Sequence, residues 1–140
     1  MKKATMSVYL SAAMAAALML PAAQARAPAA VPVQVGGDEV LDACGSLAQV
    51  KGLKADGDGF LAVRAGPGTA YAMLDKLGNG REVYLCDGNG DGDGEWFAIV
   101  YPTAPGMRCE VGSPIAKKRV YRGPCKSGWV RSAWVEVMAG

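Results

Sequence analysis

Apolar and polar residues alternate over short stretches of this chain, and glycine-rich turns separate the stretches. The clearest stretch is Phe60 to Arg64. Leu61 and Val63 fall on one face and Ala62 and Arg64 on the other, which predicts a strand. Gly66-Pro67-Gly68 then stops it. Pro67 fixes φ and has no N–H to give to a ladder, and the flanking glycines tolerate a sharp turn. Leu47 to Leu53 predicts an earlier strand, and Asp56-Gly57-Asp58-Gly59 a turn that would join the two as a hairpin. Gly78-Asn79-Gly80 is a strong hairpin signal. Arg81 to Cys86 follows as a strand with Val83 and Leu85 on one face and Tyr84 and Cys86 on the other. Trp96 to Tyr101 is dense in aromatic and β-branched residues, as a core strand should be. Trp129-Val130 opens a last strand, and Ser132 to Val135 predicts a tight turn or short 3₁₀ segment before Glu136-Val137-Met138. After the N-terminal segment no convincing helix appears, so the pattern predicts an all-β domain.

Two of these stretches carry a resemblance. Leu61-Ala62-Val63-Arg64 running into Gly66-Pro67-Gly68-Thr69-Ala70-Tyr71, with a late Gly128-Trp129-Val130, resembles the bacterial SH3-type (SH3b) domain. Lys76 to Val83 and Glu95 to Val100 fit the glycine turn and strands that the family carries between them. The resemblance covers roughly Leu47 to Val137. It implies a small SH3-like barrel of five to six strands, closed by Glu136-Val137-Met138. It also implies that Ala70 to Leu77 is a long loop folded over one end of that barrel. The chain departs from the short members of the family at Met107 to Lys126, where a tight turn would stand. Cys109 and Cys125 bracket this stretch, so it reads as an insertion clamped at its base.

The chain has 140 residues, enough for one domain and an export signal. Met1-Lys2-Lys3 is a positive start, Met6 to Leu20 is mostly apolar, and Ala23-Gln24-Ala25 supplies a small-x-small cleavage pattern before Arg26. Residues 1–25 therefore read as a signal peptide. The apolar run is shorter than the roughly 20 residues a membrane-spanning helix needs, so no membrane span is expected after cleavage. Residues 26–43, rich in Ala, Pro and Val at their start, read as a linker, and residues 44–140 as the domain. The whole chain has 15 basic and 13 acidic residues. Loss of Lys2 and Lys3 with the signal leaves the mature part formally neutral, so charge gives no reason to expect a nucleic-acid partner.

Cys44, Cys86, Cys109 and Cys125 all lie in the mature part, and an even count in a short exported chain argues for two disulfides. Four cysteines allow three pairings. The expected ones are Cys109–Cys125, which brackets the insertion, and Cys44–Cys86, which would tie the N-terminal segment to the Val83 strand. Zinc wants closely spaced ligand pairs, and no such pair exists and no histidine is present. Asp87 to Glu95 begins like a calcium loop, with Asp87, Asn89, Asp91 and Gly92 in place. The twelfth position is Ala98 instead of a bidentate Glu, so the stretch reads as a solvated turn. No metal or cofactor is expected.

The lack of histidine removes the usual Ser-His-Asp and Cys-His arrangements. The acids crowd into glycine-rich turns, which hold a catalytic pair of carboxylates poorly. An enzyme is not expected. What remains is binding. By resemblance, Tyr71, Trp96 and Trp134 would line a shallow groove, with core filling as the plain alternative for each, while Trp129 packs in or near the core. Lys117, Lys118, Arg119 and Arg122 form a local basic patch that suits an anionic ligand, or else a solvated loop. Domains of this type often accompany cell-wall enzymes, and some bind peptidoglycan peptides. The expectation is a non-catalytic, periplasmic or secreted bacterial binding module recognising cell-wall (peptidoglycan) peptides. The alternatives are a structural or protein-interaction domain, such as an inhibitor or partner of another exported protein, and a calcium-binding accessory protein.

Overall fold

The computed structural model describes residues 21–87 and 94–140. Most of the expected signal peptide lies outside them, and so do Asn89, Asp91 and Gly92 of the calcium-like loop, together with the Asp87 side chain. The described residues form strands β1 (Gln34–Val35), β2 (Asp38–Asp42), β3 (Ser46–Val50), β4 (Leu61–Arg64), β5 (Met73–Leu77) and β6 (Glu82–Asp87). These are followed by β7 (Trp96–Tyr101), β8 (Pro114–Ile115), β9 (Arg119–Val120), β10 (Lys126–Arg131), the 3₁₀ turn Ser132–Trp134 and β11 (Val135–Ala139). The all-β expectation and the 3₁₀ turn both hold.

Seven strands make one antiparallel sheet in the order β11-β3-β6-β7-β10-β4-β5. This sheet is not closed into a barrel, which corrects the five- to six-stranded barrel expected from the resemblance. Irregularities on the two outermost ladders, at Val63/Arg64 and at Val137/Ala139, disrupt the pairing there. β5 and β11 are left as edges. The stretch expected to be a loop, Ala70 to Leu77, is mostly β5, paired with β4. β3 pairs with β6 and β11, so it forms no hairpin with β4.

Both faces of the sheet are buried. Alternation along β7 sends Ile99 and Tyr101 to one core, with Leu61, Val63, Val83 and Val130. It sends Trp96, Ala98 and Val100 to a second core, with Trp129, Val33, Val35 and all of Cys44, Cys109 and Cys125. A sheet apolar on both faces needs a cover on both. The cover over the second face comes from two distant segments, an N-terminal arm from Val31 to Cys44 and the insertion between Met107 and Cys125.

The arm corrects the reading of residues 26–43 as a linker, since from Val31 onward it is built into the fold. β1 pairs with β9 and β2 with β8. The Tyr121 amide donates to the Val33 carbonyl at 2.9 Å, and the Val31 amide to the Ala65 carbonyl at 2.8 Å. The Trp129 Nε1–H donates to the Val31 carbonyl at 2.8 Å. Two disulfides, Cys44–Cys86 and Cys109–Cys125, fasten this layer in the expected pairing. The glycine of Gly128-Trp129-Val130 has a packing reason. A Cβ there would sit 2.4 Å from Val63 Cγ1, so β10 can approach β4 only without a side chain at that point.

Candidate functional site

The groove expected from Tyr71, Trp96 and Trp134 is not assembled. Trp96 is 5% exposed and lies in the second core, with the Arg131 guanidinium 5.5 Å from its ring centre. The arm and insertion cover the face that would have presented it. Trp129 is buried beside it, as expected. Tyr71 is half-buried and closes the turn at the C-terminal end of β4. Its ring lies where a Cβ on Gly66 would be, only 2.4 Å away, and its carbonyl accepts from Arg64 Nη1 at 2.9 Å. That glycine is required by close approach of the ring, and Tyr71 acts as a clamp on the loop.

Trp134 stands near the other end of β4, at the turn before β11, and is 39% exposed. Its ring edge lies 3.5 Å from the Cβ position of Gly52. Together with Phe60, Leu53, Lys54, Gly57, Asp58 and Gly59 it lines a cleft of about 270 Å³. The lining loop is fixed from below by Asn79. The Leu53 amide donates to Asn79 Oδ1 at 3.1 Å, and Asn79 Nδ2 donates to the Leu53 carbonyl at 3.0 Å. Phe60 in turn carries Lys76 Nζ 4.4 Å from its ring centre. Aromatic faces on one cleft with an ammonium and a carboxylate of its own suit a ligand with both charges and some apolar surface. Phe60 and Asn79 were missed as site residues, because the pattern offered Phe60 only as the start of a strand and Asn79 only as a turn.

The basic patch is exposed on the insertion at all four positions. Arg119 and Arg122 line a separate cleft of about 410 Å³, with Val35, Glu110, Ile115, Val120, Tyr121 and Gly123. A further cleft of about 380 Å³, between Gly80 to Glu82 and Pro102 to Pro105, is bridged by Arg81, whose Nη2 donates to the Pro102 carbonyl at 2.8 Å.

The titrating groups with shifted affinity for protons serve the scaffold. Asp75 lies below the ordinary carboxylate value, chiefly because the Lys76 amide donates to it at 2.8 Å, with Lys126 Nζ and Tyr101 Oη each 3.1 Å away on Oδ2. Burial, then the Asp75 charge, pushes the Tyr101 hydroxyl above its ordinary value. Burial does the same to Tyr121, whose hydroxyl donates to the Cys109 carbonyl at 2.9 Å and accepts from the Cys125 amide at 3.1 Å. That hydroxyl sits inside the loop the second disulfide closes. Among the described residues no three His, Cys, Asp or Glu side chains are grouped to hold a metal, no cysteine is free, and no helix is long and apolar enough to cross a membrane.

Fold and site together define a disulfide-stapled all-β domain with an aromatic cleft at one end of its main sheet. Compared with family models, curated proteins and solved structures, the chain finds no match.

Proposed function

We propose that this chain is a non-catalytic, exported binding module of the bacterial SH3 type, and that it holds a short charged peptide of the cell wall in the Phe60–Trp134 cleft. The observation that carries the reading is the exposure of Trp134 beside Phe60, with Lys54 and Asp58 on the same lining. Leaving an indole open to water forgoes burial of a large apolar surface, which a ligand can recover. Wall peptides carry amino and carboxyl groups on a compact chain, and the cleft offers a partner for each. The SH3-type reading is supported by the place of its two motifs: Arg64 of the first lies directly opposite Trp129 of the second on neighbouring antiparallel strands. Export is supported by the leader pattern, and two disulfides are compatible with an oxidising compartment outside the cytoplasm.

The test is sedimentation of the oxidised protein with purified peptidoglycan sacculi. The protein should pellet with them and release no soluble fragments. A folded protein that stays in the supernatant at low salt contradicts the reading. A second reading, a protein-interaction domain, is favoured by β11, an edge strand on which Val137 and Met138 are both more than half exposed. Failure to bind sacculi would leave that one standing.

A further inference from the structure

The insertion carries Arg119 and Arg122, both exposed and on one cleft. Ion pairs among the described residues include Lys51–Glu136, Lys126–Asp75 and Arg131–Glu95. None of them uses Arg119 or Arg122, and among the described residues neither guanidinium makes a side-chain hydrogen bond. Both line one cleft of about 410 Å³, where Ile115, Val120 and Tyr121 supply apolar surface beside the charged groups. The cleft is made where the arm meets the insertion. β1 pairs with β9, and the Tyr121 hydroxyl is tied to both ends of the Cys109–Cys125 loop, so its walls are fixed by ladder and disulfide. Glu110 is the one acid on the lining, held with φ at 60°, a sparsely populated region for a residue with a side chain. Its charge is near enough to Tyr121 to add to the upward push that burial gives that hydroxyl.

We infer that this cleft is a second binding site, for the end of a peptide bearing a free α-carboxylate and a small apolar side chain. Guanidinium groups are shaped to take a carboxylate through two parallel N–H···O bonds. The terminal side chain rests on the apolar surface, and Glu110 accepts an N–H of the peptide. The Glu110 carboxylate on the same lining disfavours a phosphate, which carries more negative charge than a carboxylate. No residue is shared with the Phe60–Trp134 cleft, so the inference stands or falls separately from the function proposed above.

The probe is N-acetyl-Ala-Ala as the free acid, titrated into the oxidised protein and followed by amide chemical shifts. The amides of Tyr121, Arg122 and Gly123 should shift and saturate. The C-terminally amidated twin should bind at least about tenfold more weakly, because it has lost the charged acceptor. Arg119→Gln and Arg122→Gln should each weaken the free acid to a similar degree with the melting temperature unchanged, since both side chains are exposed. Trp134→Ala should change nothing. Equal binding of acid and amide overturns the inference, as does the absence of saturable shifts. Inorganic phosphate producing the same shifts at the same concentrations overturns it in favour of a general anion patch. A loss of binding in Trp134→Ala overturns it by moving the peptide to the other cleft.

Discussion

Trp96 and Trp134 are both aromatic residues next to a sheet strand, and their fates differ because of what the rest of the chain lays over them. Trp96 sits on the face covered by the arm and the insertion and is 5% exposed, while Trp134 sits at an end of the sheet and is 39% exposed. The two cores differ in the same way. The core of Leu61, Val63, Ile99 and Val130 is filled by strands of the main sheet itself. The core of Trp96 and Trp129 is roofed by two segments far apart in the chain, joined by ribbons of only two paired positions each. Closing such long loops costs chain entropy before any contact forms. Short ribbons return little of it, and both disulfides are found in this layer and not in the other.

The largest expected effect breaks the covered side. Trp96→Ala should cost about 3–5 kcal/mol of stability, as removal of a buried indole does. Chemical denaturation of the oxidised protein measures it. A loss near zero would mean that the arm and insertion do not seal this face.

The next effect sharpens the contrast between the layers. Removing Cys44–Cys86 releases the constraint on a loop with a sequence separation of 42 and should cost about 4 kcal/mol. Removing Cys109–Cys125, with a separation of 16, should cost about 3 kcal/mol. Hydrogen exchange should then show the Tyr121 and Cys44 amides losing protection before those of Ile99 and Val130. Equal loss on both faces would show that the two layers unfold as one.

The contrast also explains what the sequence disclosed. β4 and β6 were legible because each alternates locally next to a glycine turn, β7 because it is dense in aromatic and β-branched residues, and β10 only in its second half, from Trp129-Val130. The disulfide pairing was legible because Cys109 and Cys125 bracket the insertion, and Cys44–Cys86 ties the N-terminal segment to the Val83 strand. The arm was not, although Val31, Val33 and Val35 do alternate; Pro32 and the alanines around it masked the pattern. Its partner strand β9 lies far along the chain and is only two residues long, so no local signal marks it. Trp96 was open to either reading because its own strand does not say what covers it. Phe60 became a site residue only when the loop after β3 was brought alongside Trp134, a contact between separate turns.

A smaller, pH-dependent effect follows from Tyr101 and Tyr121. Their hydroxyls hold protons more tightly in the folded chain than the ordinary tyrosine value near 10. Their contribution is fully present below that value and is lost as pH rises through the raised range, by at most ~1.4 kcal/mol per pH unit for each group. Melting temperature should fall above pH 10, and Tyr101→Phe should flatten the fall. Asp75 has the opposite sign. Its lowered value means its contribution holds above the ordinary carboxylate range and is lost as pH falls below it, so Asp75→Asn should remove part of the acid sensitivity.

The most direct test of the account compares Trp134→Ala with the unaltered protein in sedimentation with sacculi, with a melting curve taken on the same sample. An exposed aromatic that anchors a ligand should cost about 2 kcal/mol of binding when truncated, roughly a thirtyfold weaker interaction. It should cost less stability than Trp96→Ala, because Trp134 is 39% exposed against 5% for Trp96. Binding that survives Trp134→Ala unchanged, or a melting temperature that collapses with it, would contradict the assignment of the open end of the sheet as the binding surface.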